Sequence, residues 1–155
     1  MDSVLIYDIQ NFSIHNGKGI RTTIFFKGCP LNCSWCHNPE SISFKKEMMI
    51  DKEKCVNCGQ CIDYCENARF LKNGNLKYKN ESCNFCESCT IFCINDCNQI
   101  VGKNYKINEL VNLVLKDKSF YKYSSGGVTL SGGEALVFDK YISKLIDRLK
   151  EHNIN

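Results

Sequence analysis

No stretch of this 155-residue chain approaches the roughly 18 consecutive apolar residues that a membrane helix needs. No secretory leader is legible either, because Met1 to Asn11 carries Asp2 and Asp8 and lacks a basic segment ahead of an apolar core. Charge of one sign is scarce: the formal net charge is +3, and Lys45-Lys46 is the only adjacent basic pair. That excludes a nucleic-acid-binding stripe and gives a membrane surface nothing to attract. Disorder is excluded in turn, since 43% hydrophobic and 24% charged residues are globular values. A cytoplasmic protein of one ordinary domain, or a small domain beside part of a larger one, is the expectation.

What the chain has in excess is cysteine, twelve in all. Without an export signal, metal binding is the better reading than a disulfide scaffold. Eleven of the twelve fall into three runs: Cys29-x3-Cys33-x2-Cys36, Cys55-x2-Cys58-x2-Cys61-x3-Cys65 and Cys83-x2-Cys86-x2-Cys89-x3-Cys93. The second and third runs repeat one frame at an offset of 28 residues, which marks an internal duplication.

Zinc usually takes two paired knuckles from separated segments, whereas three cysteines at x2-x2 steps followed by a fourth at x3 suit a four-iron cube. Two closed [4Fe-4S] cubes are therefore expected in the later runs. In two-cluster ferredoxins the fourth cysteine of each run ligates the other run's cube. Carried over, Cys55, Cys58, Cys61 and Cys93 would hold one, and Cys83, Cys86, Cys89 and Cys65 the other. The proline that often follows the fourth cysteine is missing, with Glu66 and Ile94 in its place. Cys97 fits neither run; it reads as a small buried residue, or as a replacement for Cys93. The first run has only three thiolates, so its cube would keep one iron open for an outside ligand.

Around these runs the pattern changes. Val4 to Ile9 is mostly apolar, and Ile24 to Phe26 reads as a buried strand delivering Cys29 at its end. Asn16-Gly17-Lys18-Gly19 between them is a turn. Residues 51–97 are cysteine-dense and turn-rich, a separate module. Ile107 to Leu115 has helical spacing, Asp117 to Ser125 reads as a polar and aromatic connection, Val128 to Leu130 as a strand, and Tyr141 to Leu149 as an amphipathic helix running to about Glu151. With the module removed, strand, helix, strand, helix remains, which predicts about two parallel βα units in residues 1–50 and 98–155. Two such units cannot close a barrel. The expectation is a front portion of a larger protein, stopping where the next strand should begin.

Three blocks carry a resemblance: Gly19-Ile20-Arg21-Thr22-Thr23, Gly28-Cys29-Pro30-Leu31-Asn32-Cys33-Ser34-Trp35-Cys36-His37-Asn38-Pro39-Glu40-Ser41, and Gly127-Val128-Thr129-Leu130-Ser131-Gly132-Gly133-Glu134. In this order the chain resembles the radical S-adenosylmethionine activating enzymes of glycyl radical enzymes. The resemblance implies a fold and a mechanism. The fold is an incomplete radical-SAM partial (βα) barrel with an inserted α+β ferredoxin-like domain carrying two [4Fe-4S] clusters, three clusters in total. The open iron at Cys29, Cys33 and Cys36 would chelate S-adenosyl-L-methionine, whose reductive cleavage yields a 5'-deoxyadenosyl radical. That radical would install a glycyl radical on a partner enzyme.

The resemblance also assigns Trp35 and His37 to the adenine, the latter through its backbone. Gly132 and Gly133 would offer bare backbone to the cofactor, and Glu134 would accept from the methionine ammonium. A phosphate loop is excluded at this Gly-Gly because no Gly-Lys-Ser/Thr follows. Asn16-Gly17-Lys18-Gly19 departs from the family's Asp-Gly-Pro-Gly. Activators of pyruvate formate-lyase lack the cysteine-rich insert, so the expected partner is another glycyl radical enzyme, with a flavodoxin or ferredoxin-type reductant under anaerobic conditions. The rival reading is a stand-alone electron-transfer module or a non-functional fragment. Residues 51–97 hold six Lys/Arg and seven Asp/Glu, too balanced for the acidic docking face of a diffusing carrier.

Overall fold

The computed structural model of the chain describes residues 3–65 and 68–155; Asp2 and Glu66, used in the sequence reading, lie outside the described residues. In chain order these form β1 (Ser3–Ser13), β2 (Arg21–Phe26), β3 (Glu47–Ile50), α1 (Gln60–Asp63), β4 (Arg69–Lys72), β5 (Asn75–Tyr78), α2 (Ser88–Ile91), β6 (Asn98–Val101), β7 (Lys103–Lys106), α3 (Ile107–Leu115), α4 (Lys118–Ser124), β8 (Gly127–Gly132) and α5 (Asp139–Glu151). They divide into two compact units, Met1–Lys45 with Gly102–Asn155, and Lys46–Val101.

The first unit is a mixed α/β layer built on a four-stranded sheet ordered β7-β1-β2-β8. Strand β2 lies inside the sheet, and only Phe25 of its six residues escapes full burial. Ile24 and Phe26 point to the helical side, where they join Val4, Ile6 and Val128 against Leu110, Val114, Tyr141 and Leu145. The alternation of a strand sends Thr23 and Phe25 to the opposite face. On the helices, Leu110, Val111 and Val114 and then Tyr141, Ile142, Leu145 and Leu149 recur at three- and four-residue steps, so each helix buries one stripe. Burying a side chain such as Leu145, with no exposed surface, contributes about 1.5–3 kcal/mol.

Only part of the expected parallel arrangement is present. β2 and β8 pair in parallel from Arg21 against Gly127 to Phe26 against Gly132. β1 runs antiparallel to β2, and β7 antiparallel to β1. The reason lies in connection length: the short turn through residues 14–20 can return a strand only antiparallel, while the long excursion from β2 to β8 permits a parallel crossover. That turn closes tightly on Gly19 (φ +72°), where a Cβ would stand 2.4 Å from the Ser124 carbonyl oxygen.

A second correction concerns Asp117 to Ser125. Instead of a plain connection, residues Lys118–Ser124 form helix α4. At two turns it is too short to display a period, and side-chain contacts fix it: the buried Tyr121 hydroxyl meets Thr22 Oγ1, which also donates to Asp117 at 3.0 Å, and the Phe120 ring meets Phe12 edge-on at 4.9 Å. At the far end Val128 donates to the carbonyl of Asn155 at 2.7 Å along the outer edge of β8, and Ile154 is buried in the core.

The second unit rests on two antiparallel pairs, the hairpin of β4 with β5 and the long-range pair of β3 with β6. The 28-residue repeat seen in the cysteines recurs in the backbone. Asn57 and Phe85 have φ of 56° and 55°, Gly59 and Glu87 have φ of 81° and 66°, and each left-handed residue leads into a one-turn helix, α1 or α2. The buried core of this unit is Met48, Cys61, Leu76 and Cys89. Among the described residues no helix is long and apolar enough to cross a membrane.

Candidate functional site

The first cysteine run leaves the C-terminal end of β2 as a closed loop. Its entry and exit are tied together, Gly28 donating to Ser41 O at 2.7 Å and Cys29 to Ile42 O at 2.9 Å. A 3-10 turn over Pro39–Ser41 completes the return, held by the Ser41 hydroxyl on Asn38 O and by the buried Lys27 ammonium on Glu40 O. Inside the loop Cys36 donates to Cys33 O at 3.1 Å. Cys29 and Cys36 are half-buried and Cys33 is exposed. Trp35 is 84% exposed and His37 is also exposed, so the indole offers a free flat face.

The register of β2 against β8 carries Gly132-Gly133-Glu134 to the base of this loop. Gly133 donates to Phe26 O at 2.8 Å and Glu134 to Gly28 O at 2.9 Å, so two residues of the motif bracket the strand end that leads into Cys29. A Cβ at Gly133 would stand 2.5 Å from Gly28 O, which restricts the position to glycine. The side chain of Glu134 accepts from Leu136 N–H at 3.0 Å, capping the 3-10 turn Ala135–Phe138. The block from Gly127 to Glu134 is thus in backbone contact with both others: with the cysteine loop at its end, and along β2 with the block around Gly19 to Thr23, which forms the turn and first half of that strand.

In the second unit Cys55, Cys58, Cys61 and Cys93 line one cavity of about 220 Å³, together with Cys97. Cys97 is buried as a small hydrophobe would be, at 5% exposure, but it is not isolated: its Sγ lies 3.3 Å from that of Cys93. Burial and the neighbouring Cys93 and Cys55 push the Cys97 thiol up to about 12. Burial acts upward on Cys93 too, yet its hydrogen bonds with Cys97 and with the Asn95 and Asn98 backbone together lower it. Around Cys89, burial raises the thiol while Arg69 opposes and Cys65 and Cys83 add to the rise, which puts those two cysteines in its neighbourhood. Cys86 is fully exposed and is lowered by its hydrogen bonds with Ser88.

Sequence reading passed over one residue here. Arg69 is 2% exposed and donates Nη1 to Cys61 Sγ at 3.6 Å and Nη2 to Cys89 Sγ at 3.3 Å. Its only signal in the sequence is that it is the single arginine between Cys55 and Cys93.

Among the described residues no three His, Cys, Asp or Glu side chains converge as ligands of a single metal ion. A four-iron cube makes a different demand, because each thiolate binds its own corner and the ligands surround a volume. The cavity ringed by cysteines meets that demand in donor chemistry, and the tied loop with its glycine cradle does so for a cube that shares a corner with a small molecule.

A family model for a 4Fe-4S single cluster domain matches residues 15–74. The chain is 44% identical over 154 residues to the trans-4-hydroxy-L-proline dehydratase activating enzyme of Clostridioides difficile, covering 97% of this chain and 51% of that protein. It is 38% identical to the benzylsuccinate synthase activating enzyme of Thauera aromatica, covering 97% and 47%. It is 37% identical to the (2S)-3-sulfopropanediol dehydratase activating enzyme of Klebsiella oxytoca, covering 97% and 49%. The chain spans about half the length of the curated relatives it matches. Over nearly its whole length, therefore, the chain is similar to about half of each of these activating enzymes.

Proposed function

We propose that this chain carries the cofactor-binding segment of an enzyme that reductively cleaves S-adenosyl-L-methionine at a [4Fe-4S] cluster held by Cys29, Cys33 and Cys36, and so installs a glycyl radical on a partner enzyme. The observation that carries the reading is the backbone tie of Gly133 and Glu134 to Phe26 and Gly28, which sets a glycine cradle beside the three-thiolate loop. When bound, the cluster supplies the single electron for splitting the sulfonium. The chain's own residues do the rest. Three thiolates leave one corner free for the methionine amino and carboxylate groups. The Gly132-Gly133 backbone admits the cofactor without an intervening side chain, and Glu134, already held by Leu136 N–H, has carboxylate acceptor capacity left for the ammonium. Trp35, with its exposed indole face, would stack on the adenine, and His37 would contact it through the backbone.

The second unit is read as a ferredoxin-like domain with two further clusters, one on Cys55, Cys58, Cys61 and Cys93 and one on Cys83, Cys86, Cys89 and Cys65. The cavity lined by the first four supports that cross-pairing, as does the grouping of Cys65 and Cys83 near Cys89. Its role is electron supply from a flavodoxin or ferredoxin-type donor, in the cytoplasm, where thiols stay reduced. The relatives' names support a partner other than pyruvate formate-lyase.

Anaerobic reconstitution with iron and sulfide, followed by iron counting and low-temperature EPR with and without S-adenosyl-L-methionine, tests this. About 12 irons per chain and a spectrum altered by the cofactor are expected. About 8 irons with no response would overturn the reading and leave a two-cluster electron-transfer module.

A further inference from the structure

Arg69 occupies a position that neither the cysteine motifs nor the cofactor chemistry requires. It begins β4, its backbone N–H bonds to Cys65 O at 3.0 Å, and its side chain is almost wholly buried between the two cysteine runs. The planar guanidinium presents its two terminal nitrogens in a fixed fork. One reaches Cys61 Sγ and the other Cys89 Sγ, the third cysteines of the two repeated runs. A single cation therefore touches one expected ligand of each cluster.

Hydrogen bonds to ligand sulfurs, together with local charge and burial, set the potential of an iron-sulfur cluster. An added electron raises the negative charge on the sulfurs, so an N–H donor and its positive charge stabilise the reduced form more than the oxidised one. Burial strengthens the effect, because the low local dielectric screens it poorly. The same guanidinium acts on both sides, so its influence cannot be confined to one cluster.

We infer that Arg69 is a shared positioning residue that raises the reduction potentials of both insert clusters at once, through one N–H···S bond to Cys61 and one to Cys89. The inference rests on the assignment of those cysteines to two separate clusters. It makes the pair of clusters accept electrons over a common range, set by one side chain rather than by two environments.

The test uses the 155-residue chain with Cys29, Cys33 and Cys36 changed to Ser, so that only the insert contributes to the spectra. Iron content of about 8 per chain establishes the two clusters; a markedly lower count would defeat the cluster assignment itself. With two clusters present, EPR-monitored redox titration compares Arg69 with Arg69→Gln and Arg69→Lys. In Arg69→Gln both midpoint potentials are expected to fall enough to change the reduced-to-oxidised ratio about tenfold at fixed potential, about 59 mV for one electron. In Arg69→Lys, whose single ammonium cannot fork, one cluster should keep more of its potential than the other. Potentials unchanged in Arg69→Gln, or a shift of one cluster alone, would overturn the inference.

If Arg69→Gln fails to hold iron, pulsed EPR of the chain labelled with ¹⁵N only in arginine decides the matter. A nitrogen coupling at both reduced clusters is expected, and its absence at either would refute the shared contact.

Discussion

The two cysteine-bearing regions of this chain are built on opposite plans. In the unit around β2 and β8 the cysteines sit in a surface loop hung on a finished scaffold, and the buried core consists of aliphatic and aromatic side chains drawn chiefly from three strands and three helices. In the unit from Lys46 to Val101 the cysteines make up much of the core: Cys61, Cys89 and Cys97 are three of the seven buried hydrophobic residues among those described. The difference teaches where folding and metal loading are coupled. A loop whose entry at Gly28 and Cys29 is already bonded to its exit at Ser41 and Ile42 can lose a cluster and keep its frame. A unit with two one-turn helices and two four-residue strand pairs has too little apolar surface to stand without one.

Removing iron with a chelator should therefore have the largest effect and divide the molecule. Hydrogen exchange is expected to rise through β3 to β6 toward unfolded rates, while β2, β8 and α5 stay protected; equal loss of protection in both units would erase the distinction. Next in size are the ligands of the insert. Cys93→Ser should cost about four irons per chain, and Cys97→Ala should leave the count intact, because Cys93 shares the frame of Cys65 and Cys97 is the buried neighbour that bonds to it. Iron loss in Cys97→Ala with retention in Cys93→Ser would exchange their roles.

The aliphatic core answers differently. Leu145→Ala should destabilise the first unit by about 2–5 kcal/mol in denaturant melts followed by the helical circular dichroism of α3 to α5, with insert iron unchanged. Coupled iron loss would show that the two plans are not independent. The smallest effect sharpens the loop itself. Gly133→Ala should leave iron content unaltered but weaken the EPR response to S-adenosyl-L-methionine about tenfold, near 1.4 kcal/mol, since its Cβ would press on Gly28 O. An unaffected response would remove the glycine cradle from the site.

Much of this was legible along the chain. Helices α3 and α5 announce themselves by apolar spacing, the end of β2 by an apolar run into Lys27-Gly28, and the duplication by a frame that recurs in both cysteines and left-handed backbone. α4 was not, because Tyr121 and Phe120 earn their helix from Thr22 and Phe12, about a hundred residues away in the chain. The antiparallel pairing of β1 and β7 was equally hidden, since alternation specifies a face but not the neighbour on each edge.

Local spacing by itself determined the three cysteine runs, their repeat and the turn chemistry, because loops of two or three residues bring consecutive thiols together whatever surrounds them. Only the tertiary structure decided that Cys93 faces the cavity of Cys55, Cys58 and Cys61, that Gly133 lies under Gly28, and that Arg69 reaches sulfur on both sides. Each of these joins residues far apart in sequence, and such contacts are fixed by strand register and burial rather than by any pattern a single segment can carry.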